Sequence, residues 1–187
     1  MRMAVRLLQG PFTVDDYQRL AELGVLREHD RVELIAGQVV AMTPIGDRHA
    51  SCVRRLNRLL SRALLDVAII DVQDPVVLSE HDAPQPDVAL LKARADAYLQ
   101  HPRSADMLLV IEVAETSLAY DREVKIPLYA RSDIPEVWLV DLPADHIDVY
   151  RNPSGGTYAD TRSTSRGDTL TPLRFPHVTL RVDDILG

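Results

Sequence analysis

Between Met107 and Ala114 the chain is apolar at every position but one, the carboxylate of Glu112. A run of that length and composition predicts a strand covered on both faces. Elsewhere the spacing changes period. Thr13 to Asp16 reads as a capping box opening a short helix that ends near Gly24. Arg31 to Met42 alternates around Ala36 and Gly37, predicting a hairpin with Val32 and Leu34 on one face. From Gly46 to Leu65 the period becomes helical: Val53, Leu56, Leu60 and Ala63 or Leu64 make an apolar stripe opposite Arg54, Arg55, Arg58 and Arg62. Strands are predicted over 67–72, 76–78 and 86–91, with a break at Asp74 and Pro75. Residues 94–99 read as a loop or short helix.

After the central strand, a helical segment falls within Ser117 to Arg131. Pro127 has no backbone N–H, so that helix either starts late enough to hold it in the first turn or kinks there. Strands over 136–141 and 147–151, a turn from Asn152 to Gly156, a strand over 157–161 and short strands over 169–173 and 178–180 complete the pattern, ahead of Val182 to Leu186. Buried strands alternating with helices in the middle and with hairpins at both ends predict an α/β fold with a mixed β-sheet flanked by helices.

Composition narrows the setting. At 187 residues, 46% of them apolar, the chain suits one well-filled core, so residues 1–187 are expected to form one domain. Cys52 stands alone, and the N-terminus lacks the charged-then-apolar pattern of a secretory signal, which together point to a cytoplasmic setting. No apolar stretch approaches the roughly 20 residues that span a bilayer. The net charge of −7 argues against a protein that coats nucleic acid, although a carboxylate cluster around a metal would lower the total without removing local basic surface. Arginine supplies nearly all the basic residues, the two lysines being Lys92 and Lys125. A lysine kept in such a background hints that a compact ammonium is wanted.

The candidate chemistry follows from the acids. A carboxylate inside an apolar strand is costly to desolvate and needs a cation, a donor or a catalytic role. Asp87, behind Pro86, and Glu112 are candidate ligands for a hard divalent ion, with the Val113 carbonyl as a third oxygen; Mg²⁺ or Mn²⁺ suits such ligands better than zinc. An ion held this way can align water, neutralise charge on a phosphoryl group and assist the leaving oxygen, the needs of phosphodiester hydrolysis. Lys125 would orient the attacking water or counter transition-state charge. No phosphate-cradling Gly-x-x-x-x-Gly-Lys, dinucleotide-binding Gly-x-Gly-x-x-Gly, paired zinc histidines or Gly-x-Ser-x-Gly elbow is present.

Pro86-Asp87, Ile111-Glu112-Val113 and the downstream Lys125 resemble the PD-(D/E)XK nuclease superfamily. The words around Arg31 to Val40, Met42 to Pro44 with His49, Ser117 to Asp121, Lys125 to Arg131 and Ile134 to Asp141 are similar to the Uma-type restriction endonucleases of bacteria. The resemblance implies a restriction-endonuclease-like core, Asp87 and Glu112 as metal ligands, Glu33 as an additional acid near the ion, DNA as substrate and a homodimer. The superfamily's lysine usually sits two residues after the second acid, where this chain has Ala114; Lys125 matches the family's relocated lysine.

Structural roles stand beside each of these. Glu112 could be a solvated strand-end acid, Asp87 a turn residue after Pro84 and Pro86, Lys125 a surface partner of Asp121, and Glu33 an outward-facing hairpin charge. His49 could cap the long helix or touch substrate. Arg54 and Arg58 could contact phosphates or simply be solvated. Trp138 and Tyr129 read as core. The function alternative is a catalytically silent nucleic-acid-binding or assembly module on the same fold; a phosphatase acting on other esters is a third.

Overall fold

The computed structural model describes residues 11–27 and 30–187. Its centre is a six-stranded mixed sheet in the order β3 (Ala68–Asp71), β4 (Val88–Lys92), β5 (Met107–Ala114), β6 (Glu136–Asp141), β7 (His146–Ser154), β8 (Thr157–Ser165). All neighbours are antiparallel except β5 and β6. A parallel pair needs a crossover connection. Here it is the helical stretch between residues 118 and 131, which carries Lys125.

Alternation along β4, β5 and β6 divides the core in two. Leu90, Leu109, Ile111, Trp138 and Val140 face helix α2 (Asp47–Ala63), which contributes Cys52, Val53, Leu56 and Leu60, and the C-terminal helix α5 (Val182–Leu186). Ala89, Val110, Val137 and Leu139 face the crossover, which contributes Ile126 and Tyr129. Burial on both faces explains why β5 is apolar but for Glu112 and why β6 is apolar between Glu136 and Asp141 at its ends. Glu112 lies on the crossover face with Val110 and Ala114, as period two requires.

The crossover is helical throughout but not uniformly so. Helix α3 (Leu118–Tyr120) runs into a π turn over Asp121–Lys125, in which the Ile126 N–H donates to the Asp121 carbonyl, and then into α4 (Ile126–Arg131). Pro127 falls in the first turn of α4, where its missing donor costs no internal bond of that helix. Widening by one residue just before a proline keeps the chain helical and turns Lys125 inward.

The outer elements follow the sequence patterns closely. Helix α1 (Val14–Glu22) has the capping box between Thr13 and Asp16. Strands β1 (Val32–Ile35) and β2 (Gln38–Ala41) form the hairpin, its turn made by Ala36 and Gly37 at φ +49° and +71°. Four expectations need correction. Residues 76–78 form no strand: Val77 makes an isolated bridge to Arg103, and at once the Leu78 N–H turns to the Asp82 carbonyl as the chain folds back, which ends any longer ladder. The turn between β7 and β8 is only Gly155 and Gly156, and β7 runs through Pro153. Past Arg151 it has outrun β6, so only β8 flanks it and the missing N–H is tolerated. β8 reaches Ser165, its polar edge-strand composition having disguised four residues. The tail strands shrink to the two-residue pairs β9 (Thr169–Leu170) and β10 (Leu180–Arg181). Among the described residues no helix is long and apolar enough to cross a membrane.

Candidate active site

Asp87 immediately precedes β4, and Val88 pairs with Ile111, so the antiparallel register brings Asp87 alongside Glu112 and Val113 at one end of the sheet. From β1, Glu33 reaches the same end, and Lys125 arrives from the π turn. Together with Gln85, Tyr120, Asp121 and His49 these residues line a cavity of about 400 Å³. Glu33, Asp87, Glu112, Asp121 and Lys125 are all buried.

Lys125 is the hub. Its Nζ lies 2.8 Å from Glu112 Oε1 and 3.3 Å from Glu33 Oε2, and 3.5 Å from the Gln85 carbonyl. The surface pairing with Asp121 is not formed: Lys125 points inward, and Asp121 accepts from the Ser117 hydroxyl at 2.6 Å. Glu33 is buried rather than outward-facing. It takes the Gln85 N–H at 3.2 Å and faces the Tyr120 hydroxyl at 3.4 Å.

Asp87 is held by three donors. Oδ2 accepts from His49 Nε2 at 3.0 Å and from the Val113 N–H at 2.8 Å; Oδ1 accepts from Gln73 Nε2 at 3.1 Å. A turn carboxylate would bond its own neighbours, whereas these donors come from α2, β5 and the segment after β3. With His49 Nε2 directed at the carboxylate, its Nδ1 is buried without a hydrogen-bond partner. His49 thus belongs to the Asp87 environment rather than capping its helix, whose N-cap Gly46 makes no side-chain cap.

Charge decides how these groups ionise. Burial pushes the Glu112 carboxyl up to about 8, Lys125 opposing this and Asp121 and Asp87 adding to it. Burial also raises Asp121. For Asp87 burial works upward too, but the hydrogen bond and field of His49, the Val113 N–H and Lys125 outweigh it and hold the carboxyl below its ordinary range. Burial would lower Lys125, yet Glu112, Glu33 and Asp121 overcome that and keep the ammonium protonated. Four buried carboxyl groups share one ammonium, so ionising Glu112 and Asp121 adds negative charge that Lys125 alone does not balance, the condition a hard cation relieves.

Among the described residues no group of three His, Cys, Asp or Glu side chains stands close enough to hold one ion; the Lys125 ammonium occupies the space between Glu33 and Glu112. Magnesium does not require such a cage, since it commonly takes one or two carboxylates and keeps water or substrate oxygens as its other ligands. Asp87 and Glu112 fit that mode. So does Val113: its N–H points to Asp87, and in an extended strand the carbonyl of the same residue points to the same side.

Two of the sequence candidates stay apart. Arg54 and Arg58 are exposed on the outer face of α2 and do not line the cavity. Arg55 leaves their row altogether, donating to the Ile185 and Leu186 carbonyls of α5. Conversely, Tyr129 is core, as its apolar neighbours suggested, but its hydroxyl also donates to Glu112 Oε1 at 2.5 Å. Gln73 gave no sequence signal beyond a polar residue before Asp74-Pro75.

A family model described as "Uma2: Putative restriction endonuclease" matches residues 14–183. A crystal structure described as a "putative nuclease belonging to DUF820", from Anabaena variabilis, superposes with a TM-score of 0.75 and 16% identity, covering 94% of this chain and 98% of that one. At that identity the likeness concerns the fold, a mixed sheet flanked by helices. No match is found among curated proteins.

Proposed function

This chain belongs to the Uma2 restriction endonuclease family, and from that membership we propose that it is a PD-(D/E)XK-type endonuclease hydrolysing DNA phosphodiester bonds with Mg²⁺ or Mn²⁺. The observation that carries the reading is the gathering of Asp87, Glu112 and Glu33 in one cavity with Lys125, whose ammonium pairs with Glu112 and Glu33.

Asp87 and Glu112, with the Val113 carbonyl, would hold the ion; when bound, it supplies Lewis-acid activation of water and neutralisation of phosphoryl charge. Lys125 contributes a permanently charged donor beside the reacting phosphate, able to orient the attacking water and to stabilise charge on the phosphoryl oxygens. Glu33 restrains that ammonium and is placed to accept a hydrogen bond from metal-bound or nucleophilic water. His49 keeps Asp87 ionised and oriented. The chain would act as one domain, in the cytoplasm and as a homodimer, with the exposed Arg54 and Arg58 outside the cavity as supplementary phosphate contacts.

The test is cleavage of supercoiled plasmid and of single-stranded DNA with Mg²⁺ or Mn²⁺ and with chelator. Cleavage should require the ion and disappear in Asp87→Asn and Glu112→Gln, with circular dichroism unchanged. Retained DNA binding without cleavage by the unmodified protein under every ion would mark a silent binding module instead, and hydrolysis of small phosphate esters without DNA cleavage a phosphatase.

A further inference from the structure

Gln73 lies outside every recognised motif of this chain, yet its amide is the one donor among the described residues to Asp87 Oδ1, at 3.1 Å. The opposite oxygen is already fixed by His49 and Val113. The donor must be Nε2, since an ionised carboxylate has no hydrogen to give. Gln73 therefore completes a three-sided clamp that fixes the plane of the carboxylate.

The backbone at this position is unusual. Gln73 has φ +57°, in the left-handed region where a β-carbon is unfavourable and where glycine or asparagine is the ordinary choice. Its N–H donates to the Pro86 carbonyl at 3.2 Å, which ties the segment after β3 to the residue preceding Asp87. Among the described residues the other non-glycine residues with positive φ include Ala36, Asp66, Asp133 and Asn152, and none of the eight besides Gln73 bonds a carboxylate of the cavity. Strain that persists at a contact with a candidate-site group is the pattern expected when the side chain is needed there.

We propose that Gln73 is a positioning residue for Asp87, setting the orientation in which that carboxylate meets a divalent cation. The inference rests on the metal-dependent reading above. Because an amide does not titrate, the orientation it imposes holds at every pH at which Asp87 is ionised. Residues that orient metal ligands in this way typically change metal affinity by roughly 10- to 100-fold when removed.

Titration with Mn²⁺ alone, free ion being followed by electron paramagnetic resonance, separates positioning from fold maintenance. Gln73→Gly removes the amide and relieves the backbone, so its thermal midpoint in chelator should match or exceed that of the unmodified protein while its Mn²⁺ dissociation constant rises about 10-fold. Gln73→Asn tolerates the left-handed backbone but is one methylene short, and should lose affinity similarly. Asp87→Asn should bind no ion at this site. Unchanged affinity in Gln73→Gly, with binding abolished by Asp87→Asn, would overturn the role of Gln73 and leave the metal site standing. A clear fall in the thermal midpoint of Gln73→Gly would assign Gln73 to fold maintenance and also overturn it. Absence of Mn²⁺ binding by the unmodified protein would remove both the inference and the reading beneath it.

Discussion

The hydroxyl of Tyr129 and the carboxylate of Glu112 meet at 2.5 Å, on the same oxygen, Oε1, that Lys125 approaches at 2.8 Å. Oε2 accepts no hydrogen bond from the described residues. Two donors thus saturate the inner oxygen and leave the other for the cavity. Tyr129→Phe removes one donor from a buried acceptor that keeps its ammonium, so it should cost about 1 kcal/mol of stability. Urea denaturation followed by the fluorescence of buried Trp138 measures it.

Stability in chelator should fall as pH rises from about 4.5 towards 8. The folded-state Glu112 carboxyl is displaced upward from 4.5 to about 8 by burial, so across that window the folded state binds more protons than the unfolded state. Asp71, pushed up to about 6 by burial and by facing Asp74, acts in the same sense from a lower start. Asp87 has the opposite sign: its depressed carboxyl contributes stability above pH 3.8 that is lost only in stronger acid. Glu112→Gln should therefore flatten the decline between pH 6 and pH 8 and leave, below pH 6, a shallower fall to which Asp71 contributes. Thermal midpoints across a buffer series read this directly.

Lys125→Met should be among the most destabilising single changes in the chain. It fills a similar volume but strands Glu33 and Glu112 without their shared cation. Breaking a buried pair from one side costs about 3–5 kcal/mol. The loss should be greatest above pH 8, where Glu112 is ionised, and smaller near pH 6; chemical denaturation at the two pH values checks both size and direction.

The arginines of α2 should separate by role. Arg55 donates to the carbonyls of Ile185 and Leu186 at 2.8 and 2.5 Å, and charged hydrogen bonds contribute about 1.5–3 kcal/mol each. Arg55→Ala should loosen α5, seen as faster amide hydrogen exchange over residues 182–187. Arg54→Ala removes an exposed side chain and should change stability by less than about 0.5 kcal/mol, with any effect confined to DNA affinity and its salt dependence.

Much of this arrangement is legible from residue patterns because burial is periodic. The 107–114 run, the Val53–Leu56–Leu60 stripe and the Thr13–Asp16 box each specify an element through local physics, and all three form. Glu112 and Asp87 were visible for the complementary reason, as charges where desolvation is costly. That argument alone does not separate function from structure: Glu136, fully buried on the adjacent strand, is satisfied by Arg151, the Trp138 indole and the Leu173 N–H, and serves packing. What distinguishes Glu112 is a long-range fact, that its neighbours are other acids and one lysine. Gln73 was not legible because its contact depends on the register between β3 and β4 and on a left-handed backbone that glutamine seldom adopts. The π turn escaped similarly, since Pro127 predicts a disturbance without specifying its form.

Anomalous diffraction from a crystal soaked in Mn²⁺ tests the metal centre most directly. The expected result is a single strong peak in the cavity within coordinating distance, about 2.0–2.3 Å, of both an Asp87 and a Glu112 oxygen, with Lys125 retained beside it. A soaked crystal with no peak there, or with manganese bound only away from these two carboxylates, would contradict it.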